Sequence, residues 1–208
     1  MKHERQARSE GRARRRDADR RSQHSPRPPT PDPQPPLAVV RRARGIRLLV
    51  LDVDGVLTDG RLVYNGGEGQ ALTFDIHDGM GVKLALKSGL RVAVISGRSS
   101  EMLARRAREL GVTDLAQGVE DKRQAFQALL DAHGLQAREA ACMGDDLPDL
   151  PLLRAAGLAI GVPDAADEVI QAAHYVTRRP GGRGAVREAV ELLLKAQGRW
   201  EAALEAYR

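Results

Sequence analysis

Ile46-Arg47-Leu48-Leu49-Val50-Leu51-Asp52-Val53-Asp54-Gly55-Val56-Leu57-Thr58-Asp59-Gly60 is the stretch whose reading decides the fold. Its opening apolar run predicts a parallel strand buried on both faces. Asp52 and Asp54 then fall just past the strand's carboxyl end, where open α/β sheets hold their ligands. Two carboxylates one residue apart on a Gly-punctuated turn can share a hard cation and divide the roles of nucleophile and proton donor. The same residue types also close strands with no chemistry attached, so the rest of the chain must decide.

Outward from this stretch, strands alternate with helices. Residues 91–95, 139–143 and 158–162 read as further buried strands, and residues 174–177 as a short edge strand. Residues 79–88, 99–110, 121–133, 148–156 and 185–197 read as helices. This alternation predicts an α/β fold: a Rossmann-like parallel sheet with helices on both faces. One element breaks the pattern. Residues 61–64 and 70–74 flank the Gly-rich segment Asn65-Gly66-Gly67-Glu68-Gly69, which predicts a β-hairpin flap projecting over the acidic loop.

Charge divides the chain. Residues 1–45 hold 13 Lys/Arg against 5 Asp/Glu and 7 of the 11 prolines, whereas the remainder carries a net charge of −3. A segment with so little apolar content cannot offset its ordering entropy. Residues 1–44 are therefore expected to be a disordered basic, Pro-rich arm, residues 45–197 a single domain, and residues 198–208 a C-terminal tail. Blocks of Arg can bind polyanions. The acidic core and the lack of aromatics among the arginines count against nucleic acid. No apolar run has the length of a membrane span and no apolar segment follows the basic stretch, so neither a membrane protein nor a secretory signal is expected. The single Cys142 fits a small hydrophobe in a strand and a reducing, cytoplasmic setting.

Three more strand ends or helix starts carry chemistry. Ser96-Gly97-Arg98 offers a hydroxyl and a guanidinium beside a helix opening, a combination suited to phosphate. Asp121-Lys122 opens another helix, and a lysine there can neutralise phosphoryl oxygens. Gly144-Asp145-Asp146-Leu147-Pro148-Asp149 forms a second acidic loop. Each has a bland counterpart as cap, solvated charge or turn. Their order in the chain — acid pair, serine, lysine, acid pair — is what points to phosphoryl transfer.

On these motifs residues 46–197 resemble the haloacid dehalogenase-like phosphotransferase superfamily. The resemblance implies that Asp52 attacks phosphorus, that Asp54 protonates the leaving oxygen and then activates water, and that Ser96 and Lys122 fix the phosphoryl group. It further implies Mg²⁺ held by Asp52, Asp145 and the Asp54 backbone carbonyl. The spans 55–95 and 123–144 leave no room for the cap domains of larger members. The segments Asp78-Gly79-x-Gly81, Tyr175-Val176-Thr177 and Gly181-Gly182-Arg183-Gly184-Ala185-Val186-Arg187-Glu188 are similar to the capless 3-deoxy-D-manno-octulosonate 8-phosphate phosphatase family of lipopolysaccharide precursor synthesis. That resemblance implies a sugar-acid phosphate as substrate, bound by Asp54, Asp75, Ile76, His77, Asp78, Gly79, Lys83, Arg98, Arg106 and Lys122. It also implies a homotetramer whose C-terminal tails reach neighbouring active sites. Gly198 could break the terminal helix and act as the hinge, the alternative being a helix that runs on into solvent. The loop departs from the family pattern at Asp75 and His77, and Lys83 stands where Arg is familiar. Two alternatives stay open: a nonulosonate (sialic acid-type) 9-phosphate phosphatase, and a non-catalytic oligomerisation module.

Overall fold

The computed structural model describes residues 34–64 and 70–208. The expectations for the arm before residue 34 and for the turn at 65–69 lie outside the described residues. Six parallel strands form the main sheet: β1 (Leu48–Leu51), β4 (Arg91–Ile95), β5 (Asp114–Ala116), β6 (Ala140–Gly144), β7 (Leu158–Gly161) and β8 (Tyr175–Val176). Their spatial order is β5-β4-β1-β6-β7-β8. The chain winds from β1 out through β4 to β5, then returns to the other side of β1. The crevice between the carboxyl ends of β1 and β6 is therefore the topological switch point.

Side-chain alternation divides the core. Leu49, Leu51, Val92, Val94, Met143 and Ile160 face one layer, built from α1 (Leu37–Arg44), α2 (Ile76–Lys87), α3 (Glu101–Leu110) and α7 (Ala185–Ala196). Leu48, Val50, Ala93, Ile95, Cys142 and Ala159 face the other, covered by α4 (Lys122–His133), α5 (Leu150–Ala155) and α6 (Asp167–Ala172). A strand buried on both faces needs no polar alternation, which is why its sequence is a continuous apolar run. Between β1 and β4 the described residues hold a tight loop, the β2 (Val63–Tyr64) and β3 (Gln70–Ala71) antiparallel pair, and α2. No cap domain is among them.

Three findings depart from expectation. Residues 37–44, assigned to the arm, form α1, which packs on α7 with Val39 and Ala43 buried. Gln197 Nε2 ties the end of α1 to α7 by donating to Ala43 O at 2.9 Å and Ile46 O at 2.8 Å. The domain thus begins before residue 45. Second, α2 starts at Ile76 rather than 79, because the Asp75 carboxylate caps it. Third, the tail neither projects as an arm nor prolongs α7. Gly198 adopts φ 67° and ends the helix, as expected, but Trp200–Leu204 then form α8 against the same chain. Trp200 receives the cations of Arg187 and Lys195 on its ring, and Tyr207 Oη donates to Met80 Sδ at 3.6 Å. The β5 strand and α6 also went unread, both being short.

Candidate active site

The acidic loop is built by one carbonyl. Val53 O accepts the N–H groups of Val56, Leu57 and Thr58 at 3.2, 2.9 and 3.0 Å, and the Thr58 hydroxyl at 3.3 Å. Val53, Val56 and Leu57 bury their side chains beneath it. Asp52 N–H donates to Met143 O at 3.0 Å, so Asp52 still belongs to the β1–β6 ladder while its side chain enters the crevice. Gly55 sits at φ 82°, and a Cβ there would overlap the Asp145 carboxylate. The turn must be glycine for both reasons.

Lys122 opens α4, where Asp121 caps the helix by accepting from Gln124 N–H at 3.0 Å. A cation at a helix N-terminus opposes the helix dipole. Two carboxylates compensate: Lys122 Nζ lies 2.7 Å from Asp52 Oδ1 and 2.7 Å from Asp149 Oδ1. Burial disfavours the ammonium, but the charges and hydrogen bonds of Asp52 and Asp149 outweigh it and leave the Lys122 pKa raised. The other Asp149 oxygen accepts from Asp145 N–H at 3.0 Å and Asp146 N–H at 3.3 Å. Asp149 therefore fixes both the lysine and the second acidic loop. The sequence reading missed this role. The available signal was a third acid four residues after Asp145, behind Pro148.

Asp145 closes the group. Its Oδ1 is buried and has no hydrogen-bond partner. Asp52, Asp145 and Asp149 each bring a carboxylate oxygen within 4.8 Å of the others. Burial, then the charges of Asp52, Asp149 and Asp146, push Asp145 up to about 7. Burial and the Asp149 charge likewise push Asp52 up to about 6, against the pull of Lys122. Crowded acids and an orphaned carboxylate oxygen are what a hard divalent cation relieves, so the residues fit Mg²⁺. Asp149 already has its oxygens engaged, which leaves Asp52 and Asp145 as the carboxylate donors.

Ser96 follows β4, with its N–H on Ala116 O at 2.9 Å and its Oγ accepting from Arg98 N–H at 3.2 Å. Strand register puts it one strand over from Asp52. Arg98 Nε lies 3.7 Å from Asp54 Oδ2, so this guanidinium and the second acid of the loop face each other across the crevice. Asp52, Asp54, Ser96, Arg98, Lys122 and Asp145 are thus brought together at neighbouring strand ends. The arrangement gathers three carboxylates, a hydroxyl and two cations at one end of the sheet.

The remaining expected contacts divide. Asp75 caps α2 by accepting from His77 N–H at 2.5 Å and Asp78 N–H at 3.3 Å, and pairs with His77 Nδ1 at 3.2 Å. Ile76 is exposed, as is Lys83 on the outer face of α2. Asp78, expected among the substrate contacts, has its side chain engaged within the fold. It is buried, and its carboxylate accepts from Gly184 N–H at 3.0 Å and Arg187 N–H at 2.8 Å, pinning the start of α7 to α2. Arg106 reaches from α3 to within 3.5 Å of Asp75 O, over the ring of Phe74 and beside Gly79. With Ile76 and Met102 it lines a cleft of about 290 Å³.

The segment after β8 supports the acidic loop from above. Gly182 N–H donates to Val56 O at 2.9 Å, and a Cβ at Gly181 would overlap Gly55 O. Glu188 holds this segment's approach, accepting from Tyr175 Oη at 2.7 Å and from the N–H groups of Arg178 and Arg179 at 3.1 and 3.2 Å. Gly181→Ala should therefore push the two loops apart. The expected result is a loss of at least about 2 kcal/mol of stability, from a clash that meets backbone rather than a movable side chain. Phosphatase activity should fall with it. A melting temperature equal to that of the parent would refute the close approach.

A switch-point pair of acidic loops, bridged by a lysine and flanked by a serine at the next strand end, defines a phosphoryl-transfer hydrolase of the haloacid dehalogenase-like class. A family model described as haloacid dehalogenase-like hydrolase matches residues 111–188. The 3-deoxy-D-manno-octulosonate 8-phosphate phosphatases of Yersinia pestis and Escherichia coli strain K12 are each 46% identical over 166 residues, which is 79% of this chain and 88% of theirs. The crystal structure of the Moraxella catarrhalis 3-deoxy-D-manno-octulosonate 8-phosphate phosphatase, in complex with magnesium, phosphate and the sugar acid, superposes with a TM-score of 0.80 at 40% identity. It covers 82% of this chain and 98% of that one. The chain belongs to the 3-deoxy-D-manno-octulosonate 8-phosphate phosphatase family.

Proposed function

We propose that this chain is a Mg²⁺-dependent, cytoplasmic phosphatase that hydrolyses 3-deoxy-D-manno-octulosonate 8-phosphate to the free sugar acid and phosphate, within lipopolysaccharide precursor synthesis. The observation that carries it is Lys122 held between Asp52 and Asp149 beside the unpartnered Oδ1 of Asp145. Lys122 occupies one oxygen of Asp52 and leaves the other to attack phosphorus in line, forming an aspartyl-phosphate. Asp54 donates a proton to the departing sugar oxygen and takes one from the water that hydrolyses the intermediate. Lys122 and the Ser96 hydroxyl hold the phosphoryl oxygens, with Arg98 at the mouth. Mg²⁺ held by Asp52, Asp145 and the Asp54 carbonyl would neutralise charge on the transferring group. A non-catalytic module has no use for this full set.

Asp75 bears on the choice of sugar. A free carboxylate facing a sugar acid would repel it. Asp75 instead accepts from two N–H groups at the α2 N-terminus and lies 3.2 Å from His77 Nδ1, which weakens that objection to the eight-carbon substrate. Arg106, part-buried in the cleft beside the Asp75 loop and 3.6 Å from Glu109, suits a carboxylate that displaces Glu109. Phosphate release should be measured with the eight-carbon and the nonulosonate 9-phosphate substrates side by side, with Mg²⁺. The eight-carbon compound should have the higher kcat/KM; the reverse order would move the assignment to the nine-carbon acids.

We also read the assembly as a homotetramer. Leu62 before the hairpin, Val63 and Tyr64 on β2, and Ile76 on α2 are exposed apolar residues that a second subunit would cover. Cation binding should depend on pH. The raised pKa values of Asp52 and Asp145 mean that protons compete with Mg²⁺ below pH 7, so affinity falls as pH falls. Calorimetric Mg²⁺ titrations at pH 8 and pH 6 should differ by about tenfold or more, from one group of pKa near 7 alone. Equal affinities would exclude Asp145 as a ligand.

A further inference from the structure

A cleft rimmed by three arginines lies at the opposite end of the sheet. Arg47 precedes β1, Arg91 opens β4, and the two meet through Arg91 N–H on Arg47 O at 3.0 Å. Arg199, between α7 and α8, reaches the same rim by donating from Nη1 to Ser88 O at 3.3 Å. These three arginines, with Leu86, Gly89 and Leu90, line a cleft of about 440 Å³. Arg47 and Asp52 bracket β1, so the cleft is about 16 Å from the catalytic carboxylates at ~3.3 Å per residue. No step of the phosphatase chemistry uses it.

The charge there is not balanced. Glu139 pairs with Arg47 at 3.0 Å, and Arg199 takes up a carbonyl at the end of α2. Arg91 has no ion-pair partner among the described residues. With Glu139 set against Arg47, the rim keeps an excess of positive charge on Arg91 and Arg199 that attracts an anion. Guanidinium forks match phosphate oxygens bidentately. The cleft is of small-molecule rather than single-ion size, and it has an apolar wall at Leu86. A Cβ at Gly89 would meet nothing within 4 Å, so the floor is open.

We propose that the Arg47–Arg91–Arg199 cleft binds a small molecule carrying a di- or triphosphate group, separately from the catalytic site. Trp200, the only tryptophan, follows Arg199 in sequence and offers a fluorescence signal to monitor. The full chain, without divalent cation, should be titrated with inorganic tripolyphosphate and with ATP, in parallel with isothermal calorimetry. Saturable binding is expected, weakened at least about tenfold in Arg91→Gln and only partly in Arg91→Lys, which keeps the charge without the fork. Phosphatase turnover and melting temperature of Arg91→Gln should match the parent, since Arg91 is exposed and remote from the chemistry. Arg98→Gln, which removes a cation from the catalytic mouth, should bind both compounds as the parent does. Tighter binding of ATP assigns the Leu86 wall to the nucleoside, and equal binding assigns the cleft to the phosphate chain alone. No saturable binding by the parent, undiminished affinity in Arg91→Gln, or affinity lost in Arg98→Gln would each overturn the proposal. None of these outcomes depends on which sugar phosphate the catalytic site hydrolyses.

Discussion

Asp52→Asn should reduce phosphate release by about a thousandfold or more while leaving the chain folded. An amide does not attack phosphorus, and it contributes no charge toward a divalent cation. The fold should tolerate the change for a specific reason. Burial already favours the neutral form of Asp52, raising its pKa to about 6 from 3.8. A carboxyl whose pKa is raised on folding stabilises the fold most when protonated, and that contribution is lost as pH rises through the folded value. An uncharged amide imitates the protonated form, so near pH 7 it relieves repulsion from Asp149. Lys122 keeps its other partner, Asp149 Oδ1, at 2.7 Å. The melting temperature should accordingly stay within a few degrees of the parent, and beryllium fluoride should form its aspartyl-phosphate analogue on the parent at Asp52 and not on the variant. Turnover within tenfold of the parent, in protein free of parental contamination, would eliminate Asp52 as the nucleophile.

The sheet was legible because its central strands are buried on both faces. Leu48-Leu49-Val50-Leu51 and Arg91-Val92-Ala93-Val94-Ile95 announce themselves as apolar runs, and each ends at a residue with chemistry. What escaped reading depends on partners distant in sequence. Val39 and Ala43 lie in a run of arginines whose composition suggests a solvated arm; only α7 gives their spacing a meaning. Asp78 looks like part of a substrate loop until Gly184 and Arg187 supply its N–H donors more than a hundred residues later. Asp149 carries no strand-end signature, since it lies past the turn and acts through Lys122 and two backbone amides. Trp200 has helical neighbours in sequence whether it projects or folds back. It packs against the apolar core and under the cations of Arg187 and Lys195. Local pattern conveyed the strand ends, and the missing roles all belong to contacts between elements.

The two acids that flank the nucleophile should separate by what their loss does to the cation. Asp145 Oδ1 is buried, unpaired and beside the Asp52 carboxylate, so Asp145→Ala removes a donor that no neighbour replaces. The Mg²⁺ concentration for half-maximal activity should rise at least about a hundredfold, beyond the loss typical of residues that merely orient a ligand. Removing Asp145 also lifts a negative charge from beside Asp52, which works against cation binding in the same direction. Asp54 differs because its side chain faces Arg98, with Nε 3.7 Å from Oδ2, and under the proposed mechanism its part in holding the cation would fall to the main-chain carbonyl. Asp54→Asn preserves that carbonyl and the side-chain shape but cannot deliver or accept the proton. Its Mg²⁺ requirement should stay within about threefold, while kcat falls by about 10²–10⁴, the usual contribution of a positioned acid–base group. An ester with a much better leaving group, such as an aryl phosphate, needs no proton on departure. It should recover part of the rate of formation of the phosphoenzyme in Asp54→Asn and none of the Mg²⁺ affinity in Asp145→Ala. Equal shifts in Mg²⁺ requirement for the two variants would mean that the Asp54 carboxylate itself reaches the cation, and the division of labour between the two acidic loops would have to be redrawn.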